Sequence, residues 1–202
     1  QRHSTNSVQL AATEQYLTDR FFNDIGSSFD MKADAVQSTD APSGFSNSLK
    51  LSCDGVSSLS SGSNGGITQH IEGFNCQPLA FGTSDAKPVT LSFYAKSSSQ
   101  NNGHTYGIML GAFLNGTRTI QTRGFTVTSS WQRFTMTFEP NSLVTSTGIN
   151  HNNDKGMQVF FSLAAGSSDL QNYSVWTSDV SLSGFTGQDN FFDNTSNEFF
   201  LT

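Results

Sequence analysis

Tyr94, Tyr106, Trp131, Tyr173 and Trp176 are amphipathic aromatics set among runs of small polar residues. Rings of this kind stack on the apolar C–H faces of sugars, while neighbouring Asn, Gln, Asp and Arg side chains bond the hydroxyls. Trp176 and Tyr173 share the stretch NYSVWTS behind an AGSSD turn. A loop-borne sugar contact is therefore expected there first, because loops at the end of a scaffold are free to shape a site. Tyr106, near a polar turn, and Tyr94, on the wet side of a strand, are the next candidates. Trp131 opens a strand and reads as a packed edge residue. The rival role for all of them is protein contact, since Trp and Tyr also anchor interfaces.

Other chemistries find little support. The sequence holds no GxSxG, HExxH, GxxxxGK[ST] or GxGxxG pattern. His3, His70, His104 and His151 lack ligand spacing, and Glu is confined to Glu14, Glu72, Glu139 and Glu198. Glu72 reads as structural. The loop Asn150–Gly156 follows N-x-N-x-D-x-G, but Lys155 stands where a calcium loop needs Gly and no bidentate Glu follows, so it reads as a polar turn. A structural Ca²⁺ held by backbone carbonyls leaves no motif, and metal binding stays open. No cofactor is expected. Sequons at Asn115, Asn172 and Asn194 carry little weight in so Asn-rich a chain. Cys53 and Cys76 form no zinc set. They are either bridged, worth about 3 kcal/mol, or two buried thiols.

With Lys+Arg 10 against Asp+Glu 16 and a net charge of −6, the chain has no electrostatic footprint for nucleic acid or an anionic membrane. No apolar run is long enough to span a bilayer as a helix, and the opening QRHSTNSVQL lacks the apolar stretch of a signal peptide. The 18 Phe supply most of the core.

What must position these residues is a set of strands. In VTLSFYAK, Val89, Leu91, Phe93 and Ala95 alternate with polar residues; Phe134, Met136 and Phe138 do the same, as do Met157, Val159, Phe161 and Leu163. Turn clusters such as SSGSNGG and SSSQNNG separate the runs. The pattern predicts an all-β, antiparallel two-sheet jelly-roll sandwich, with strands in 49–53, 67–74, 88–96, 105–114, 118–127, 131–138, 157–163 and 198–201. Helix is limited to a turn near 10–16 or 76–80. Residues 1–16 read as an arm or linking segment, and 17–202 as the sandwich.

QRHST…YLTDRFF resembles an opening of bacteriophage and large-virus structural proteins. DAPSGFSNSLKLS, ITQHIEGFNCQPLAFGTSDAKPVTLSFYAKSS, SSWQRFTMTFEP and GMQVFFSLAAGSS are similar to that family's successive segments, in order and over nearly the whole chain. Phe21 or Phe22 stands where the family has Trp after Asp-Arg. Relatives begin with a strand before the Gln-Arg and finish with a Gln-Leu-Glu-Gly strand after the segment like EFFLT, so this chain is expected to be part of a longer one or to take those edge strands from a neighbour. The resemblance implies a carbohydrate-binding-like jelly roll, akin to galactose-binding and carbohydrate-binding modules, in tail fibres, tail-associated proteins or capsid decorations.

The expectation is thus a non-enzymatic virion structural or appendage protein on the particle surface. It would be homo-oligomeric, in contact with other virion subunits, and able to recognise host surface glycans. The alternative is a carbohydrate-binding module of a secreted glycan-processing enzyme. A glycan-cleaving depolymerase is the third reading.

Overall fold

The computed structural model describes residues 7–10, 15–17, 20–26, 29–114, 117–143, 148–178 and 181–202. Two antiparallel sheets face each other. Sheet I runs β1 (Val8–Gln9), β3 (Ala33–Ser38), β4 (Ser48–Cys53), β14 (Glu198–Leu201), β6 (Val89–Ser97), β9 (Gln132–Phe138). Sheet II runs β12 (Thr177–Ser178), β8 (Thr117–Thr126), β7 (Thr105–Leu114), β10 (Lys155–Ala165), β5 (Asn64–Glu72), β2 (Phe21–Gly26). The chain repeatedly crosses from one sheet to the other, as in a jelly roll. β11 (Leu170–Gln171) and β13 (Gly184–Phe185) form a small parallel pair outside both sheets.

Every run with period-two alternation became a strand, because a half-buried strand puts alternate side chains on opposite faces. Phe93, Phe138, Val159, Phe161 and Leu163 are buried, and Ile71, Leu91, Phe134 and Met136 pack against the core from its margin. Phenylalanine organises the centre: Phe93 lies 5.0 Å from Phe161, 5.2 Å from Phe125 and 5.3 Å from Phe134, linking both sheets.

β2 and β3 were not foreseen. FFNDIG hides apolar residues on both faces of β2 and so shows no alternation, while the inward positions of β3 are the small Ala33 and Ala35. The segment read as an arm is stitched to the sandwich where it is described. Val8 pairs with Ala35, Leu10 is buried, and Tyr16 bridges Phe22. Helix is confined to α1 (Gly73–Cys76) and short 3-10 turns at Gln77–Leu79 and Phe191–Asp193. The turn expected near 76–80 is present; of the other, 10–16, residues 11–14 lie outside the described residues and Tyr16 is extended.

Cys53 and Cys76 are both free and buried. Cys53 ends β4 in sheet I, whereas Cys76 closes α1 behind β5 of sheet II, so the two thiols belong to different layers. Burial pushes the Cys76 thiol up to about 11. The loop before β10 folds as a polar turn, in which Asn150 Nδ2 donates to Lys155 O and Asp154 N–H to Asn152 Oδ1. The sequon Asn115 lies outside the described residues.

Candidate functional site

The aromatics singled out in the sequence do not converge. Tyr106 is in the core at 0% exposure, ringed by Phe125, Phe191 and Phe199. Its hydroxyl accepts from Asn101 Nδ2 at 2.9 Å, and burial pushes its ionisation up. Trp176 is 7% exposed, with its indole N–H on Glu139 O at 2.6 Å and its ring against Phe81. Tyr173 packs onto a satellite cluster of Met109, Ile120 and Phe160. Tyr94 does sit on the outer face of sheet I, where Phe45 half-covers it at 5.5 Å. Tyr106 and Trp176 are therefore corrections: their apolar bodies fill the interior and their polar atoms are already bonded there. The loop that carries Trp176 is folded down onto the sandwich.

An open concavity lies elsewhere, on the outer face of sheet II. The chain between β10 and β14 returns across this face, with Tyr173 and Leu182 seated on the satellite cluster. The strip left uncovered crosses β8, β7, β10, β5 and β2. Outward parity on these strands places Arg118 (β8), Phe113 (β7), Gln158 (β10), His70 (β5), and Phe22 and Asp24 (β2) along it. One hollow of about 390 Å³ is bordered by Asp24, Asn64, Phe113, Arg118, Gln158 and Asp169. A second, of about 240 Å³, is bordered by Gln15, Tyr16, Phe22 and His70. Lys155 borders both, so the two hollows adjoin and are described together as the cleft.

Its apolar side is an aromatic row. Tyr16, 64% exposed, meets Phe22 edge-on at 5.6 Å; Phe22 and His70 are 4.9 Å apart; His70 and Phe113 are 6.4 Å apart. Burial, with the charges of Lys155 and Arg118 adding to it, lowers His70 to about 4, so its imidazole is neutral in this row at ordinary pH.

Its polar side centres on Gln158, 2% exposed. Gln158 Nε2 donates to Asp24 Oδ2 at 2.8 Å and to Thr68 Oγ1 at 3.1 Å, and Oε1 accepts from Arg118 Nη1 at 3.4 Å. Asn64 Nδ2 donates to Asp169 Oδ2 at 2.6 Å. Gly26 admits this group, since a Cβ there would stand 2.4 Å from Asn64 Oδ1. Cations Arg118 and Lys155 and carboxylates Asp24 and Asp169 border the same hollow, so neither sign dominates it. Stacking faces beside fixed donors and acceptors suit a polyhydroxylated ligand. Among the described residues, no group of three or more His, Cys, Asp or Glu could hold a metal ion.

Sequence reasoning missed this site for identifiable reasons. Tyr16 was assigned to the arm, and Phe22 and Asp24 belong to a strand with no alternation. Phe113 and His70 did carry a signal, as large rings at outward positions of strands.

No family model matches the chain, and no curated protein matches it significantly. Solved structures do. The family 11 carbohydrate-binding module of the cellulosomal cellulase Lic26A-Cel5E of Clostridium thermocellum is 14% identical over 98% of this chain and 92% of its own, with a TM-score of 0.45. The C-terminal family 22 carbohydrate-binding module of Clostridium thermocellum Xyn10B is 11% identical over 90% of this chain and 80% of its own, TM-score 0.43. The enzymatically active domain of bacteriophage CBA120 tailspike protein 4 is 11% identical over 90% of this chain but 18% of its own, TM-score 0.46. The jelly-roll architecture rests on the order of this chain's own strands in its two sheets. At such identities and TM-scores the likeness brings no ligand or contact residue with it.

Proposed function

We propose that this chain is a non-catalytic carbohydrate-binding module whose cleft across sheet II takes a glycan chain. The observation that carries the reading is the pairing of an aromatic row, from Tyr16 to Phe113, with the buried amide of Gln158 and its partners Asp24 and Arg118. The cleft runs across five strands, four intervals of about 4.8 Å each, so it has the reach of an oligosaccharide. A module of a glycan-processing enzyme is the favoured setting. The second reading, a virion appendage in multiple copies, is supported by the segment-by-segment resemblance to phage structural proteins from QRHST to EFFLT. Light scattering separates the settings, since a module is monomeric and an appendage subunit oligomeric.

Isothermal titration against a panel of neutral and acidic oligosaccharides tests the common part. Binding that Tyr16→Ala and Phe113→Ala each weaken by about tenfold, or ~1.4 kcal/mol of lost stacking, supports the cleft. Binding that both variants leave intact removes the cleft from consideration.

A further inference from the structure

The two sheets part at one end of the sandwich, where β3 and β14 finish and β4 and β6 begin. A hollow of about 490 Å³ opens between them there. Sheet II lines it with Phe21, Val159 and Phe161, and sheet I with Leu49, Phe93 and Leu201. Leu49, Phe93, Val159 and Leu201 are 4% to 8% exposed, whereas Leu51 and Ile67, deeper in the same layers, are at 0%. Two glutamines interrupt these apolar walls. Gln69 lies between Ile67 and Ile71 on the inward face of β5, and Gln37 follows Ala35 at the next inward position of β3. They border the hollow from facing sheets, and neither side-chain amide has a hydrogen-bond partner among the described residues. An amide at a core-facing position costs free energy unless something in the hollow bonds it. Among the described residues, no charged side chain borders the space. The hollow also stands back to back with the cleft. Phe21, Gln69 and Val159 pair across β2, β5 and β10 and face it, while their chain neighbours Phe22, His70 and Gln158 face the cleft.

We propose that this hollow is a second binding site, for a small uncharged amphiphile: a single alkyl chain carrying a hydroxylated head. The chain lies against Phe93, Val159, Phe161 and Leu201, and the head meets Gln37 and Gln69, whose amides both donate and accept. Its volume is that of a small-molecule site. An inserted peptide would bury backbone N–H and C=O groups that apolar walls cannot pair, and sheets packed about 10 Å apart leave no width for a helix. A charged head would lose water beside those walls and find no counter-charge on the rim. The site is independent of the glycan reading of the cleft, because it lies on the other face of sheet II.

Alkyl glucosides, kept below the concentration at which they form micelles, are the probes. Isothermal titration should show affinity rising about fourfold for each methylene added from hexyl to octyl. Methyl glucoside, which has the head without the chain, should not compete with octyl glucoside. Octyl sulfate, with the same chain and a charged head, should bind at least about tenfold more weakly than octyl glucoside. Gln69→Trp sets a ring across the hollow and removes an unpaired amide, so it should weaken octyl glucoside binding by at least about tenfold with the melting temperature held or raised. Gln37→Trp, from the facing sheet, carries the same test where Gln69→Trp does not fold, as judged by circular dichroism. Tyr16→Ala and Phe113→Ala, which alter the cleft, should leave octyl glucoside binding unchanged. Affinity that ignores chain length, equal binding of octyl sulfate, or full binding by a folded Trp variant overturns the proposal. So does binding that Tyr16→Ala or Phe113→Ala abolishes, which would assign the probe to the cleft. A wild type that binds none of the series overturns the second site and leaves the glycan reading standing.

Discussion

Trp131 donates its indole N–H to Asp40 Oδ1 at 2.9 Å, and Lys96 ion-pairs with the other oxygen of the same carboxylate. Asp40 lies in the turn between β3 and β4, Trp131 just before β9, and Lys96 on β6, so one carboxylate ties a turn across the outer face of sheet I. The Lys96 bond and then the Trp131 bond lower the Asp40 pKa below its ordinary 3.8. A carboxylate depressed on folding contributes stability above its unfolded pKa, and that contribution disappears as pH falls through the folded value. Asp40→Asn should cost about 0.5 kcal/mol at neutral pH, the modest scale of an exposed pair. Melting curves of variant and wild type should converge as pH falls below the ordinary 3.8 and through the depressed pKa of the folded state. A gap that persists there refutes an ionic origin.

His70 has the opposite consequence for acid. Its folded pKa of about 4 lies below the unfolded 6.5, so the unfolded chain binds the extra proton between those values. Stability should fall as pH drops from about 6.5 to 4, with a slope approaching 1.4 kcal/mol per pH unit from this one group. Urea denaturation of wild type and His70→Phe at several pH values measures it, and equal slopes in both would remove His70 as the source.

Asn101 is a buried fastener between the 98–103 turn and β14. Its Oδ1 accepts from Ser98 N–H and Oγ–H and from Glu198 N–H, and its Nδ2 donates to Tyr106 Oη and Glu198 O. Asn101→Ala leaves several of these groups buried without a partner. It should destabilise the protein by about 2–4 kcal/mol in a denaturant titration. Tyr106→Phe, which removes one bond and its hydroxyl together, should cost about 1 kcal/mol.

Gly111 and Trp176 should separate binding from stability. A Cβ at Gly111 would stand 3.5 Å from Gln158 Cβ and 3.7 Å from Arg118 Cδ, which is ordinary contact, so Gly111→Ala fits the fold while narrowing the cleft floor. Glycan binding should be weakened with the melting temperature held or raised. Trp176→Ala empties a buried site and should cost about 3–5 kcal/mol, with affinity retained by the folded fraction. Titration and thermal melts on both variants provide the check, and the reverse pattern would return the site to the Trp176 loop.

The layered β architecture was legible in the sequence because period-two alternation is a local property. Val89 to Ala95 and Met157 to Leu163 show which face is buried without reference to any partner strand. Net charge is likewise read without a fold: at −6 it gives the chain no overall attraction for a polyanion. The site was not legible in the same way. Gln158 and Asp24 are 134 residues apart and meet only because β10, β5 and β2 are neighbours in sheet II, an order that alternation does not encode. The strand register places Phe113 and His70 outward, but whether an outward residue is open or covered depends on where the chain between β10 and β14 comes to rest. That segment closes over Met109 and Phe160 and leaves Gln158 lining an open cleft. It also buries Trp176, whose flanking polar residues had suggested a free loop. Tertiary packing decided both outcomes, because burying an indole that finds a carbonyl partner lowers the free energy more than leaving it in water.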